Sequence, residues 1–463
     1  MGERELIGIL GLVCLFVAIA WRVPVGLAMI LVGIAGNYAL SIVAPFLRFE
    51  PYLRQFKTLL WNSVASYDLS VVPLFVLMGF LAARAELSRD LFQGMNAILG
   101  RLRGGVAMAA VGACAGFGAV CGSSLATAST MGRVALPELR RLRYDPRLAT
   151  GTLAAGGTLG ILIPPSVALV IYAIIVEASI IETFQAAIVP GVIAVLGFMT
   201  VIALIGHFAP ERMPMGAPMA PVERRRALLR LLPVLGIFTA IIVGLGLGLF
   251  TPTPAAGVGA FAVLVYGFAL RLFGERGLDL AGLKAALLDT AVTSGMIYFI
   301  LFGAEVLKGF FARSNLPAAL AGWAATSGLD PWLVLIAMLA ILIVLGFFME
   351  SLSMILVVVP FFWPVLVELN GGDWATAETS AFGMTTADLK LWFGILALVV
   401  VELGLITPPV GLNVFIIASL TSEVSMRDIF AGVIPFFAIE LVRVALLVAV
   451  PALTLTLPHL LAR

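Results

Sequence analysis

Five hydroxyl side chains, Ser123, Ser124, Thr127, Ser129 and Thr130, crowd into the run AVCGSSLATASTMG at 119–132, with Gly122 and Gly132 among them. A hard cation such as sodium prefers several oxygen ligands, many of them neutral, and hydroxyls can also hold a carboxylate. A second polar set lies far along the chain, where GFFMESLSMILVVVPFFWP at 346–364 carries Glu350, Ser351 and Ser353. Two further runs are near-copies. LGILIPPSVALVIY starts at Leu159 and LGLITPPVGLNVFI at Leu403, and they align without a gap. The alignment superposes Gly160 on Gly404, Pro164 on Pro408 and Pro165 on Pro409. Two consecutive prolines remove two backbone donors and break a helix. The freed carbonyls, with Ser166 or Thr407 beside them, can coordinate a cation, and half-helix N-termini can face an anion. Two related sodium sites are therefore expected. One draws on Ser123, Ser124, Thr127 and Ser166. The other draws on Glu350, Ser351, Ser353, Thr407 and Asn413. The substrate is expected between the two polar runs, against Gly122, Ser124, Ser353 and Asn413. Small residues and hydroxyls also pack helices closely. The double occurrence of polar run plus proline break is what favours a site.

The surrounding chain says where such sites must sit. Of 463 residues 62% are hydrophobic and 12% charged, and apolar runs of twenty or more recur throughout. That is the composition of an integral membrane protein. The spans must be helices, because barrel strands read as short alternating segments and these do not. The run Ile7 to Trp21 has no small-residue cleavage site and reads as a retained span. A net charge of +2 leaves no footprint for nucleic acid. Cys14, Cys114 and Cys121 lie in apolar runs without metal or disulfide spacing. His207 and His459 have no partner nearby in sequence. No catalytic residue is assigned, and a transition-metal or hydrolytic enzyme has little to stand on.

Charge placement orients the chain. Arg84, Arg89, Arg101 and Arg103 form one basic loop, and Arg140, Arg141, Arg143 and Arg147 another. Arg212, Arg224, Arg225, Arg226 and Arg230 form a third, and Arg271, Arg276 and Lys284 a fourth. The positive-inside rule places all four in the cytoplasm. The opposite loops carry Glu177 and Glu182, and, over 367–391, Glu368, Asp373, Glu378 and Asp388 against Lys390. Residues 104–137 then lie between two cytoplasmic loops and must enter and return, with the polar run at the tip. The second polar run is flanked by Asp330 and the acidic loop, so its hairpin enters from the other side. Ser124 precedes Pro137 by thirteen positions, and Ser351 precedes Pro364 by thirteen.

The expected fold class is an all-α polytopic membrane protein of two inverted repeats. Each repeat has a re-entrant helical hairpin and a broken transmembrane helix, as in secondary transporters. About ten spans and two hairpins are counted. An N-terminal span covers 1–22, and the first repeat 23–208, with its hairpin at 104–137 and broken helix at 148–182. A basic linker and one span fill 209–251. The second repeat runs over 252–463, with its hairpin at 331–366 and broken helix at 392–422. VPVGLAM from Val23 loosely echoes TPTPAAGVG from Thr251. Glu350 at membrane depth suits ion ligation or proton carriage, and Glu402, two residues before Gly404, shares that unusual setting. Arg133 and Glu138 are read as anchors of the hairpin base. FEPYLRQFKTLLWNS at 49–63 mixes Arg54 and Lys57 with apolar residues at helical spacing and reads as an interfacial helix.

CGSSLATASTMGRVALPEL, YDPRLATGTLAAGGTLGILIPPS, FTPTPAAGVG and GLITPPVGLNVF together resemble the large membrane subunit of tripartite ATP-independent periplasmic (TRAP) transporters, over nearly the whole chain. The resemblance implies a sodium-coupled importer of organic anions such as C4-dicarboxylates, sialic acid or other carboxylates. It implies two partners, a small four-helix membrane subunit and a soluble periplasmic binding protein. It implies elevator alternating access in a bacterial or archaeal cytoplasmic membrane. The ion sites it implies are Ser123, Ser124 and Thr127 with the loop before Ser166, and Glu350 and Ser351 with the loop from Thr407 to Gly411. The chain departs from the family pattern at Glu350, where Asp is usual, and at Pro254, where an acid is usual. The loop 367–391 is also longer than usual. No further block of spans precedes Met1, so the small subunit is expected as a separate chain. A stand-alone sodium- or proton-coupled carrier is the main rival, and a channel the next.

Overall fold

The computed structural model of the chain describes residues 2–216, 218–273 and 276–461. Among them all regular structure is helical, apart from one isolated bridge between Arg103 and Met215. A bilayer offers backbone groups no water, so helices that satisfy their own N–H and C=O groups are the form required. Seven helices are long and apolar enough to cross, or nine if each of two bent pairs is one span. The first helix, Glu3–Ala20, opens with Glu3, Arg4 and Glu5 and falls outside that number. Large apolar side chains such as Leu196, Phe261 and Val292 stand exposed on the longer helices. Lipid covers them. The chain is a multi-pass membrane protein.

Helix types follow one another in the same order twice. Val25–Val43 leads to the bent pair Val71–Arg84 and Leu87–Leu99. Next come the arms of the first hairpin, Gly105–Cys121 and Ser124–Arg141, then the first broken helix, Pro146–Leu162 and Val167–Ile175, then Ile180–Phe208. Pro221–Gly246 connects to the second series. That series runs Pro252–Leu272, Leu280–Ser314 with Leu316–Thr326, a second hairpin of Pro331–Gly346 and Ser351–Asn370, a second broken helix of Thr386–Gly404 and Leu412–Ser419, and Met426–Ala449. Ala452–Leu461 follows.

Hydrogen bonds locate the hairpin feet. Gly104 donates its N–H to the Met213 carbonyl at 3.3 Å, and Asp145 donates to the Arg212 carbonyl at 2.9 Å. Both feet of the first hairpin are thus tied to one short segment. They share the face that carries Arg101, Arg103, Arg143 and Arg147. The second hairpin closes on its own loop. Trp332 packs on Phe382 with ring centroids 5.3 Å apart, and Asn370 Nδ2 donates to the Met384 carbonyl at 3.1 Å. The first broken helix joins the two sets of feet. It starts beside Asp145, and at its far end Tyr172 donates to the Lys390 carbonyl at 2.7 Å. Lys390 in turn donates to the Glu177 carbonyl at 3.1 Å. The second broken helix runs back, so that Arg140 hydrogen-bonds Thr421 and Arg147 pairs with Asp428 at 2.8 Å.

One glycine crossing holds each hairpin against its broken helix. A Cβ on Gly118 would lie 2.4 Å from the Gly160 Cα, and one on Gly404 would lie 2.6 Å from the Gly346 Cα. Backbone meets backbone there, as small residues allow in membranes.

Two regions differ from the sequence reading. The charge pattern places a loop over 84–103, but Leu87–Leu99 is a helix, bent 67° from the preceding one. Glu86 takes φ +59 at the bend. Leu87, Leu91, Gly94 and Ala97 then bury one face, and Arg89 stands half-exposed outside it. The acidic loop is also shorter than 367–391, because helices run to Asn370 and start again at Thr386. The amphipathic helix spans Phe49–Ala65. Tyr52 pins it by donating to the Val306 carbonyl at 3.2 Å. The Lys57 side chain lies outside the described residues.

Overpacking a buried crossing costs about 1–3 kcal/mol or more. Gly118→Ala and Gly404→Ala should each lower the apparent melting temperature of the detergent-purified chain. Gly257→Ala, with nothing within 4 Å of its added Cβ, should leave it unchanged. Equal melting curves for all three would contradict the crossings.

Candidate functional site

Each tip is built by capping needs. Cys121 ends the first arm, and Gly122 follows with φ +63, the left-handed cap that favours glycine. Ser123 then caps the second arm, its Oγ accepting from Ala126 N at 3.4 Å. In the second hairpin Glu350 holds the cap position of Ser351–Asn370 without a side-chain cap bond. Its Oε1 is fully enclosed and takes no hydrogen bond from any described residue.

Between the tips lies Glu402, on the half-helix Thr386–Gly404 and 1% exposed. Ser124 Oγ donates to Glu402 Oε2 at 2.6 Å. Ser351 Oγ donates to Glu402 Oε1 at 2.6 Å. These two serines are the first residues of the two second arms and stand at matching distances from Pro137 and Pro364. One carboxylate therefore joins the tips of both hairpins. Among the described residues Glu402 has no Lys, Arg or His within ion-pair distance. Glu440 and Glu350 both act on it electrostatically. The buried Arg443 is engaged elsewhere. It pairs with Glu440 and donates to the Pro190 carbonyl at 3.1 Å.

A cavity of about 290 Å³ opens beside the tips. Gly122, Ser123 and Thr130 line it from the first hairpin and Glu350 from the second, with Phe80 and Thr293 opposite.

The remaining predicted residues divide around this centre. The first tip sits on the first break, since a Cβ on Gly122 would lie 3.2 Å from Val167 N and 3.5 Å from the Pro165 carbonyl oxygen. Ser166 caps Val167–Ile175 there. Thr127 is buried against Gly160 at the crossing. The Pro164 and Pro165 carbonyls take no hydrogen bond from described residues, and neither do those of Pro408 and Pro409. Thr407 Oγ1 donates to the Leu403 carbonyl at 2.5 Å, and Gly411 turns the chain with φ +63. Ser353 and Asn413 lie away from the cavity. Ser353 is buried in the second arm, and Asn413 Nδ2 donates to the Ala154 carbonyl at 3.3 Å. Its Oδ1 is enclosed without a partner.

Sequence reasoning noticed Glu402 but gave it no role. The signal was available in the near-copies, which place Thr158 opposite Glu402. Thr158 only bonds back to the Ala155 carbonyl at 2.6 Å. An acid appearing in one copy alone, two positions before the crossing glycine, marks where the symmetry was broken.

The description "Tripartite ATP-independent periplasmic transporter, DctM component" matches residues 12–453. The chain belongs to this family. It is 33% identical over 428 residues to the C4-dicarboxylate TRAP transporter large permease protein DctM of Pseudomonas aeruginosa, covering 91% of this chain and 94% of that protein. It is 29% identical to the sialic acid TRAP transporter large permease protein SiaM of Vibrio cholerae, over 86% of this chain and 88% of that one. These relatives are transporter permease subunits, and so is this chain; it is not an enzyme. Among solved structures, the YdaH transporter of Alcanivorax borkumensis superposes with a TM-score of 0.62 at 15% identity, covering 94% of this chain and 98% of that one. MtrF of Neisseria gonorrhoeae gives 0.51 at 16%, over 86% and 83%. At such identities the likeness shows the fold alone.

Because Ser124 and Ser351 share one carboxylate, their contributions should couple. Each Ser→Ala change removes a buried bond of about 1–3 kcal/mol. The double variant should depart from additivity by about 0.5–3 kcal/mol, and that departure should vanish in a Glu402→Ala background. Denaturant melts of the two single variants and the double variant, in the native and the Glu402→Ala backgrounds, check this. Strict additivity would break the proposed link.

Proposed function

We propose that the chain is the large permease subunit of a sodium-coupled importer of organic anions carrying a carboxylate. C4-dicarboxylates and sialic acid, named for its relatives, are the first candidates. It works with a separate small membrane subunit and a periplasmic binding protein, in a bacterial or archaeal cytoplasmic membrane. The observation that carries the reading is the convergence of both hairpin tips on Glu402. A low-dielectric interior holds Glu402 beside Glu350 only with protons on them or a counter-charge near them, and we take the counter-charge. Sodium supplies it. Ser123, Ser124, Thr127 and Ser166 with the Pro164 and Pro165 carbonyls form one candidate ligand set. Glu350, Ser351 and Thr407 with the carbonyls as far as Gly411 form the other. Both sets mix side-chain oxygens with unwound backbone, as cation sites of broken-helix transporters do.

The coupling follows from charge. An organic anion in the tip cavity meets the Glu350 carboxylate. Its entry is unfavourable until a cation lies between them, so sodium must bind with or before it. The hairpins and broken helices move as one body, because Glu402 and the glycine crossings tie them together. The remaining helices act as a scaffold, which gives an elevator motion between two inverted repeats. The loop 371–385, with Trp374 94% exposed at its tip, is the docking surface for the binding protein.

Proteoliposomes holding the chain and its small subunit test this. Labelled carboxylates should enter only with an inward sodium gradient and the loaded binding protein. Ser123→Ala with Ser124→Ala should raise the sodium concentration for half-maximal uptake by about tenfold, a loss of roughly 1.4 kcal/mol. Docking should be unchanged. Unaltered sodium activation in that variant would sink the ligand assignment. Sodium-driven uptake without the binding protein would indicate a stand-alone carrier.

A further inference from the structure

A second cavity, of about 530 Å³, opens on the basic face. Arg89, Arg141, Arg226 and Arg230 line it against Glu138 and Glu223. Several of these arginines are held in place. Arg89 pairs with Glu86 at 3.0 Å, Arg141 with Glu138 at 2.6 Å, and Arg230 stands 3.9 Å from Asp90. The Arg89 and Arg141 side chains remain 43% and 65% exposed. A guanidinium has five N–H donors and a bidentate carboxylate takes two. On Arg89 and Arg141 donors are left for another oxyanion.

The position of this cavity connects it to the tips. Val134, Pro137 and Arg141 form one wall, and all three lie on the hairpin arm Ser124–Arg141. On the same arm Ala126 and Thr130 line the tip cavity. Positions 126, 130, 134, 137 and 141 are three or four apart, so they make one stripe along the helix. From Thr130 to Arg141 that stripe spans about 16 Å. Glu350 stands at its inner end, and at its outer end four arginines line the cavity with Glu138 and Glu223. The outer lining thus carries more positive than negative side chains and the inner end an acid, so an anion is favoured at the outer end.

We propose that the arginine-lined cavity is a release site, where the carboxylate of the transported anion is held after leaving the tip cavity and before reaching solvent. This rests on the import reading above. A phospholipid headgroup offers similar oxyanion chemistry, and Leu229 and Leu232 stand exposed on the adjoining helix. The test therefore includes a lipid arm.

Gln93 lines the cavity. The full chain with Gln93→Cys, and the exposed Cys14 replaced by serine, is labelled with a maleimide in neutral detergent. Succinate, sialic acid or phosphatidylglycerol is added, with ionic strength matched by sodium chloride. Succinate or sialic acid at millimolar concentration should slow labelling severalfold, and Arg89→Gln with Arg230→Gln should weaken that protection by about tenfold. If that variant does not fold, Arg141→Gln takes its place. Protection by neither carboxylate, or by phosphatidylglycerol alone, would overturn the release site. Sodium-driven uptake measured in parallel separates the two readings. Uptake without protection overturns the release site only, whereas no uptake overturns the import reading beneath it.

Discussion

A carboxylate enclosed in a membrane protein must find donors or a counter-charge, because no water can reach it. Glu402 finds its donors on both hairpins at once. Ser124 and Ser351 each come to 2.6 Å of it, and neither could do so unless both tips reached the middle of the fold. The hairpins, the breaks and the crossings are best understood as what brings those hydroxyls to that acid. Each hairpin folds back at its tip, which leaves Ser124 and Ser351 beside Glu402. Each broken helix must be narrow where a hairpin crosses it. Gly160 and Gly404 make it so.

The same arrangement lets the hairpins and broken helices be polar inside. The broken helices run in opposite directions between the two sets of hairpin feet. At one face Arg140 and Arg147 hold the end of the second broken helix through Thr421 and Asp428. At the other, Lys390 and Tyr172 join the two broken helices. Ties at both faces and a shared acid in the middle leave little freedom within the body. Beside it the tip cavity opens toward Phe80 and Thr293.

Much of this was legible in the sequence, for identifiable reasons. A glycine–serine tip and a double proline leave strong local signals, because capping and helix breaking depend on residue type alone. The near-copies at Leu159 and Leu403 aligned Gly160 with Gly404 at the two breaks, but that these glycines cross Gly118 and Gly346 is a matter of contact that no local pattern encodes. Leu87–Leu99 reads as a loop because Arg84, Arg101 and Arg103 flank it and Arg89 sits within it, and charge counting cannot see its buried face. Ser353 and Asn413 were grouped with the tips by residue type, but a side chain's direction on a helix depends on packing. The role of Glu402 was hidden for the same reason. Its two donors lie 278 and 51 residues away, and no local pattern encodes such a meeting.

The most direct test is an experimental structure of the complete transporter in sodium-containing and sodium-free buffer, at a resolution that shows side chains. With sodium, both serine hydroxyls should lie within hydrogen-bond distance of the Glu402 carboxylate, and cation density should appear beside Glu350 and beside the Pro164–Pro165 break. Tips standing apart in sodium, or Glu402 turned to an arginine or lysine with no ion density nearby, would contradict the central role given to that acid.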